Sequence, residues 1–175
     1  MKYLKVLAAL GVLALAGVGS AVVLESFGTI SGTADVKPAI KIVEVDYESQ
    51  SGAEYVKLYN PSNADVSLDE WKVSDGDSDD KISNLNIPSE GYALLLGKPA
   101  NTTDRDIPNY EKFNAIGSGL ANSGDKVFLE ASTGLEIDSV DFTHDPCDGR
   151  TLSVDWETGE KSCVDTSYDF EGELN

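Results

Sequence analysis

An all-β sandwich is the fold class this sequence predicts, on three observations. Beyond Pro38 the apolar residues recur in short alternating runs, as in strands with one buried face. Clusters of Gly, Pro, Asn, Asp and Ser break these runs at short intervals, as turns require. No stretch after Leu24 sustains the 3.6-residue period of a helix. About seven to nine short strands over roughly 135 residues make two packed sheets the expected architecture.

The first element stands apart from that pattern. Lys2 and Lys5 precede an uncharged run from Val6 to Leu24. As a helix this run would span about 28 Å at about 1.5 Å per residue, close to the hydrocarbon thickness of a bilayer. A basic start, an apolar stretch and small residues at Val18-Gly19-Ser20 or Gly19-Ser20-Ala21 describe a Sec signal peptide. The alternative is an uncleaved anchor with its lysines inside and the domain outside. Either way the chain beyond Leu24 is exported, to the medium or to the cell surface, and membrane contact is confined to the helix if it stays uncleaved. The expected organisation is a signal or anchor over 1–24, an extended linker or strand over 25–37 and a sandwich over 38–175.

The chain carries 31 acidic and 13 basic side chains, a formal charge of −18. That balance excludes a nucleic-acid binder, which needs cationic groups to displace counterions from phosphate. One His and two Cys exclude a cysteine- or histidine-rich metal cage. In an exported chain Cys147 and Cys163 are expected to form a disulfide, and they lack the C-x-x-C spacing of a redox pair. Asn101-Thr102-Thr103 is an acceptor sequon for glycosylation in that compartment.

The strands read as follows. Ile40–Val45 changes phase between Ile42 and Val43, which implies a bulge or a strand covered on both faces. In Glu54–Asn60, Val56 and Leu58 point one way and Tyr55, Lys57 and Tyr59 the other. Asn60-Pro61-Ser62-Asn63 closes that strand as a turn. Trp71 with Val73, Leu85 with Ile87, Val127 with Leu129 and Val140 with Phe142 each share a face. Tyr92–Leu96 is continuously apolar, as a central strand is. Leu152, Val154 and Trp156 form the last inward face. Gly97–Gly119 reads as one long connection suited to adaptable binding.

These pieces resemble the lamin-tail domain family in its prokaryotic exported form. The carriers are Ala53-Glu54-Tyr55-Val56-Lys57-Leu58-Tyr59-Asn60-Pro61-Ser62, then Val66-Ser67-Leu68-Asp69-Glu70-Trp71-Lys72-Val73-Ser74-Asp75. Ile87-Pro88 with Gly91-Tyr92-Ala93-Leu94-Leu95-Leu96 follows, then Asn122-Ser123-Gly124-Asp125-Lys126-Val127. Ile137-Asp138-Ser139-Val140, Gly149-Arg150-Thr151-Leu152-Ser153 and Gly172-Glu173-Leu174-Asn175 resemble the closing pieces. The resemblance covers roughly residues 38 to 175 and implies an immunoglobulin-like sandwich. It implies structural roles for Glu54, Tyr55, Val56, Asn60, Trp71, Asp75, Gly91, Gly124, Asp125 and Arg150. In nuclear lamins this domain docks partners behind a coiled coil, and no heptad rod is present here. A second resemblance covers Phe27–Val36, which is similar to the entry segment of camelysin- and TasA-like exported proteins. It implies a strand able to add to a neighbour's sheet edge.

Four features carry candidate chemistry. Asp75, Asp77, Asp79 and Asp80 form an acidic turn that could offer oxygens to Ca²⁺, although the EF-hand pattern fails at Asp80 and Asn86. His144 beside Cys147 could serve a nucleophile or a metal, but the thiol is expected to be consumed by Cys163. Gly117-Ser118-Gly119 lacks the strand and the base of a nucleophile elbow. Tyr55, Tyr59 and Tyr92 offer aromatic faces, read first as packing at the sandwich edge. The expectation is therefore a non-enzymatic secreted or surface module that binds an extracellular protein or glycan. The alternative is a fibre or surface-layer subunit that self-assembles through Leu24–Val36, and a hydrolase ranks third.

Overall fold

The computed structural model describes residues 40–47, 53–97, 108–143, 147, 150–165 and 168. All lie in the compact unit Asp35–Asn175. The export segment, the linker, Asn101, His144 and the chain's last residues fall outside the described residues.

Every regular element among the described residues is a strand. In chain order these are β1 (Lys41–Asp46), β2 (Tyr55–Tyr59), β3 (Val66–Ser67), β4 (Lys72–Ser74), β5 (Asp79–Lys81) and β6 (Asn86–Ile87). There follow β7 (Tyr92–Leu96), β8 (Asn109–Lys112), β9 (Lys126–Glu130), β10 (Glu136–Asp141), β11 (Thr151–Val154) and β12 (Lys161–Val164). They form a six-stranded sheet in the order β12-β11-β1-β2-β7-β8, a four-stranded sheet β10-β9-β4-β5 and the short pair β3-β6. The architecture is an immunoglobulin-like β-sandwich. The strands outnumber the sequence expectation because two- and three-residue strands such as β3, β5 and β6 are too short to display a period.

The core lies between the two larger sheets. Ile42, Val45, Val56, Leu58, Ala93, Leu95 and Leu152 from one face Val73, Val127, Leu129 and Val140 from the other. Leu68, Ile82, Leu85 and Ile87 close one side, and Tyr47 stacks on Phe142 with ring centroids 4.6 Å apart. The phase change in β1 is a bulge, with the β1–β2 register shifting between Ile42 and Glu44. β11 pairs with β1 only at Glu44 and Val45. The Ile42 N–H is donated instead to Asp138 Oδ2 at 2.9 Å, which ties β1 to the opposite sheet through β10.

Two expectations are corrected here. Gly97–Gly119 is not one loop, because β8 lies within it and pairs parallel to β7, from Ala93↔Asn109 to Leu96↔Lys112. Trp156 does not face inward. β11 ends at Val154, and Asp155 Oδ1 accepts the N–H groups of Glu157 and Thr158 and the Thr158 hydroxyl. Trp156 is therefore a turn residue, and its ring lies 5.5 Å from that of Tyr59, a residue of the sheet's outer face.

Cys147 and Cys163 are joined as a disulfide. Closing a loop of this size is worth about 3 kcal/mol in the chain-entropy model. Reduction is expected to lower the melting temperature by about 10 °C for a domain of this length. Paired thermal melts with and without a phosphine reductant check this, and coincident curves would contradict it.

Candidate functional site

The acidic turn is part of the fold's own fastening. Asp75 directly follows β4 and is 6% exposed. Its Oδ1 accepts the N–H groups of Asp77 (3.0 Å) and Ser78 (2.8 Å), which fold the turn. Its Oδ2 accepts the N–H and the hydroxyl of Ser118, both at 2.6 Å. The neighbouring Asp80 Oδ2 accepts the Gly117 N–H at 2.7 Å. Gly117 has φ +63, and a Cβ there would stand 2.4 Å from the Asp75 carboxyl carbon. Burial pushes the Asp75 pKa up, but the donors from Ser118, Ser78 and Asp77 outweigh it and hold the group below its ordinary value. Asp79 points elsewhere and pairs with Lys72 at 2.5 Å, while Asp77 is exposed. The four carboxylates are thus committed to internal donors or point apart. Among the described residues, no group of three or more His, Cys, Asp and Glu is placed to hold a metal ion.

Glu54 works at the same end. Its Oε2 accepts the Leu120 N–H at 3.3 Å. Burial raises its pKa first of all, the Leu120 N–H lowers it, and the charges of Asp46, Asp75 and Asp125 raise it further. A raised folded value means that this group's contribution to stability is full below its unfolded pKa and is lost as pH rises through the folded one. Glu54→Gln keeps an oxygen for Leu120 and removes the charge. It is expected to raise the melting temperature at pH 7, with the gain vanishing in acid below the ordinary Glu value. A pH series of melts on both proteins measures it, and an equal gain at all pH values would refute the electrostatic origin.

The remaining family-implied residues are fastenings too. Asn60 is buried, and its amide donates to the carbonyls of Ala64 (2.8 Å), Ile87 (3.1 Å) and Pro88 (2.9 Å). Its Oδ1 accepts the Ser62 N–H at 3.0 Å. Gly91 packs against Pro88. Gly124 has φ +110, and a Cβ there would meet the Thr143 carbonyl carbon at 2.4 Å. Asp125 accepts the N–H groups of Ala121 and Lys126. Val56 is in the core, Trp71 packs against it half-buried, and the Arg150 N–H donates to the Cys147 carbonyl.

The outer face of the six-stranded sheet is different in kind. At one end Tyr55, Leu94 and Leu96 form a second buried cluster, and Tyr168 packs on it with its ring edge-on to Tyr55. In the middle the Lys57 ammonium bonds Glu44 Oε1 at 2.8 Å and lies 5.0 Å from the Tyr92 ring centroid and 5.4 Å from that of Tyr168. Burial lowers the Lys57 pKa, yet the Glu44 bond and charge outweigh it and hold the group protonated. At the other end three rings form a row, with half-buried Tyr59 between two exposed rings. Tyr59 and Tyr92 are cross-strand partners, with centroids 4.9 Å apart and planes tilted by 33°. Trp156 continues the row beyond Tyr59, its ring tilted by 48°. Tyr92 is 44% and Trp156 36% exposed. The Tyr59 pKa is raised by lost hydration first, then by Tyr92, Glu90 and Glu157. Negative charge therefore borders the row. Neither Glu90 nor Glu157 has an ion pair among the described residues.

The sequence offers Tyr55, Tyr59 and Tyr92 as edge rings but does not reveal the row. Tyr55 is buried on the covered half, while Tyr59 and Tyr92 meet Trp156. The signal that would have found Trp156 is Asp155-Trp156-Glu157-Thr158-Gly159, whose Asp and Thr mark a side-chain-capped turn. Asn101, His144 and the Phe27–Val36 segment lie outside the described residues.

No curated protein matches the chain at a significant level. The family model described as Lamin Tail Domain matches residues 33–144, which reaches from ahead of β1 to just past β10 and stops short of β11, β12 and both cysteines. A match over most of the chain, on an immunoglobulin-like sandwich whose fastenings are Glu54, Asn60, Asp75, Gly124 and Asp125, makes this protein a member of the lamin tail domain family.

Proposed function

We propose that this chain is an exported, non-catalytic recognition module that holds an extracellular partner on the outer face of its six-stranded sheet. The observation that carries the reading is the row Trp156–Tyr59–Tyr92, whose outer two rings are solvent-open in a fold that buries most of its large apolar groups. Three further points support it. The family is an immunoglobulin-like one without catalytic function. The disulfide fits an oxidising compartment. The Lys2-Lys5 start and the Val6–Leu24 run fit export. The acidic turn is a weaker candidate because its carboxylates serve Ser118, Gly117 and Lys72.

N-terminal sequencing and cell fractionation test the export half: oxidised protein outside the membrane, beginning near Ala21 or retaining Met1, is the expected result. A cytoplasmic protein with reduced thiols would overturn it. Incubation with a broad hydrolase substrate panel tests the non-catalytic half, and turnover abolished by His144→Ala would overturn that.

A further inference from the structure

We infer that the Trp156–Tyr59–Tyr92 row binds an arginine-bearing peptide segment of a protein partner, the guanidinium stacking on the open rings and donating to Glu90 and Glu157. This rests on the recognition reading above and names its ligand chemistry. Planar guanidinium suits the site on two counts. Its face stacks on Trp and Tyr, and its edge N–H groups match carboxylates. Both kinds of partner are at hand. Glu90 stands two residues before Tyr92, and Glu157 directly follows Trp156. The Glu90 N–H donates to the Ser62 carbonyl in the turn that follows Tyr59, and Asp155 Oδ1 accepts the Glu157 N–H in the turn that holds Trp156, so turns at this end of the sheet carry both residues.

Charge selects the sign of the ligand. Lys57, the cation beside the Tyr92 ring, is bonded to Glu44 and held between Tyr92 and Tyr168, so its charge is already matched within the sheet. The face itself thus demonstrates a cation against these rings, while the open end has two carboxylates and no cation paired to them among the described residues. An anionic or nucleic-acid ligand would be repelled by the site and by a chain of charge −18. The chain's C-terminal stretch is a poor occupant for the same reason, since it carries Asp169, Glu171 and Glu173 and no basic residue follows Lys161. The row's Tyr and Trp content is also that of energetic centres in protein interfaces, where Arg is the common counterpart.

Isothermal titration of the oxidised full-length protein tests the assignment with three probes: an oligo-arginine peptide, its neutral citrulline counterpart and neutral glucose and N-acetylglucosamine oligosaccharides. Binding of the arginine peptide is expected, with at least tenfold weaker binding of the citrulline peptide. Trp156→Ala and Tyr92→Ala should each weaken the arginine peptide about tenfold, as should Glu90→Gln with Glu157→Gln. Asp69→Asn with Asp77→Asn removes the same charge at turns flanking β4 and should change affinity less than twofold. Thermal melts identify any variant that fails to fold, and Tyr92→Ala and Trp156→Ala report independently. Equal losses in the two double variants, or none in the ring variants, would reduce the binding to net charge and overturn the assignment. Oligosaccharide binding that depends on the rings would overturn the ligand class while leaving the recognition reading intact. Absence of binding to every probe would overturn the assignment without touching the evidence for export and non-catalysis.

Discussion

Asp75→Ala is expected to destabilise the domain by about 3 kcal/mol, since hydrogen bonds to a charged group are each worth about 1.5–3 kcal/mol and their losses overlap. The carboxylate accepts from Asp77, Ser78 and twice from Ser118, and so joins its own turn to the segment before β9. Asp75→Asn should fall in between. One oxygen can still fold the turn, but the amide nitrogen then faces the Ser118 N–H, donor against donor. Ser118→Ala should cost only about 1 kcal/mol, because the backbone donor remains. Gly117→Ala should damage the same joint from the other side, through its positive φ and the approach of a Cβ to the Asp75 carboxyl carbon. Acid should act like these variants. The folded Asp75 pKa lies below the unfolded one, so its stabilisation is full above the unfolded value and is lost as pH falls through the folded value. Urea melts of wild type and Asp75→Asn across acidic pH should therefore converge. A constant gap down to the lowest pH would show that the carboxylate's charge plays no part.

Asn60 supports the second large expectation. Replacement by Ala leaves the carbonyls of Ile87, Pro88 and Ala64 short of a donor and the Ser62 N–H short of an acceptor. The expected cost is about 2–3 kcal/mol, the penalty of buried polar groups left unsatisfied. Asp in this position should be worse than Ala at neutral pH, despite its nearly identical shape. It removes both amide hydrogens and sets a negative charge against three carbonyl oxygens. Protonation restores one donor, so the Asp variant should approach or overtake the Ala variant in acid. Denaturant titrations of both variants at neutral and acidic pH decide this. An Asp variant as stable as wild type at pH 7 would mean that the amide's donors do not hold these loops.

The two residues show what kind of information lay in the sequence. Their identities and their order among Glu54, Trp71, Gly91, Gly124 and Asp125 made the family resemblance. Their partners did not show, because Asp75 reaches Ser118 and Asn60 reaches Pro88 across gaps that no local pattern spans. Alternation revealed which residues of β2 face inward, since a pleated strand with one buried face imposes a period of two. It misled at Trp156, where a turn had already ended the strand. It missed β8 within the long connection, because Asn109–Lys112 carries too few apolar residues to stand out.

Alternating side chains and turn chemistry, written along the chain itself, were enough to determine two packed sheets, and the cysteine pair was enough to expect a cross-link. Which outer-face residues are covered was decided only in three dimensions. Tyr168 returns to bury Tyr55, while Asp155 turns Trp156 onto Tyr59 and leaves that end open. The physical reason is range: backbone pleating and turn preference act between near neighbours, whereas burial and charge pairing depend on segments that meet only after the chain has folded.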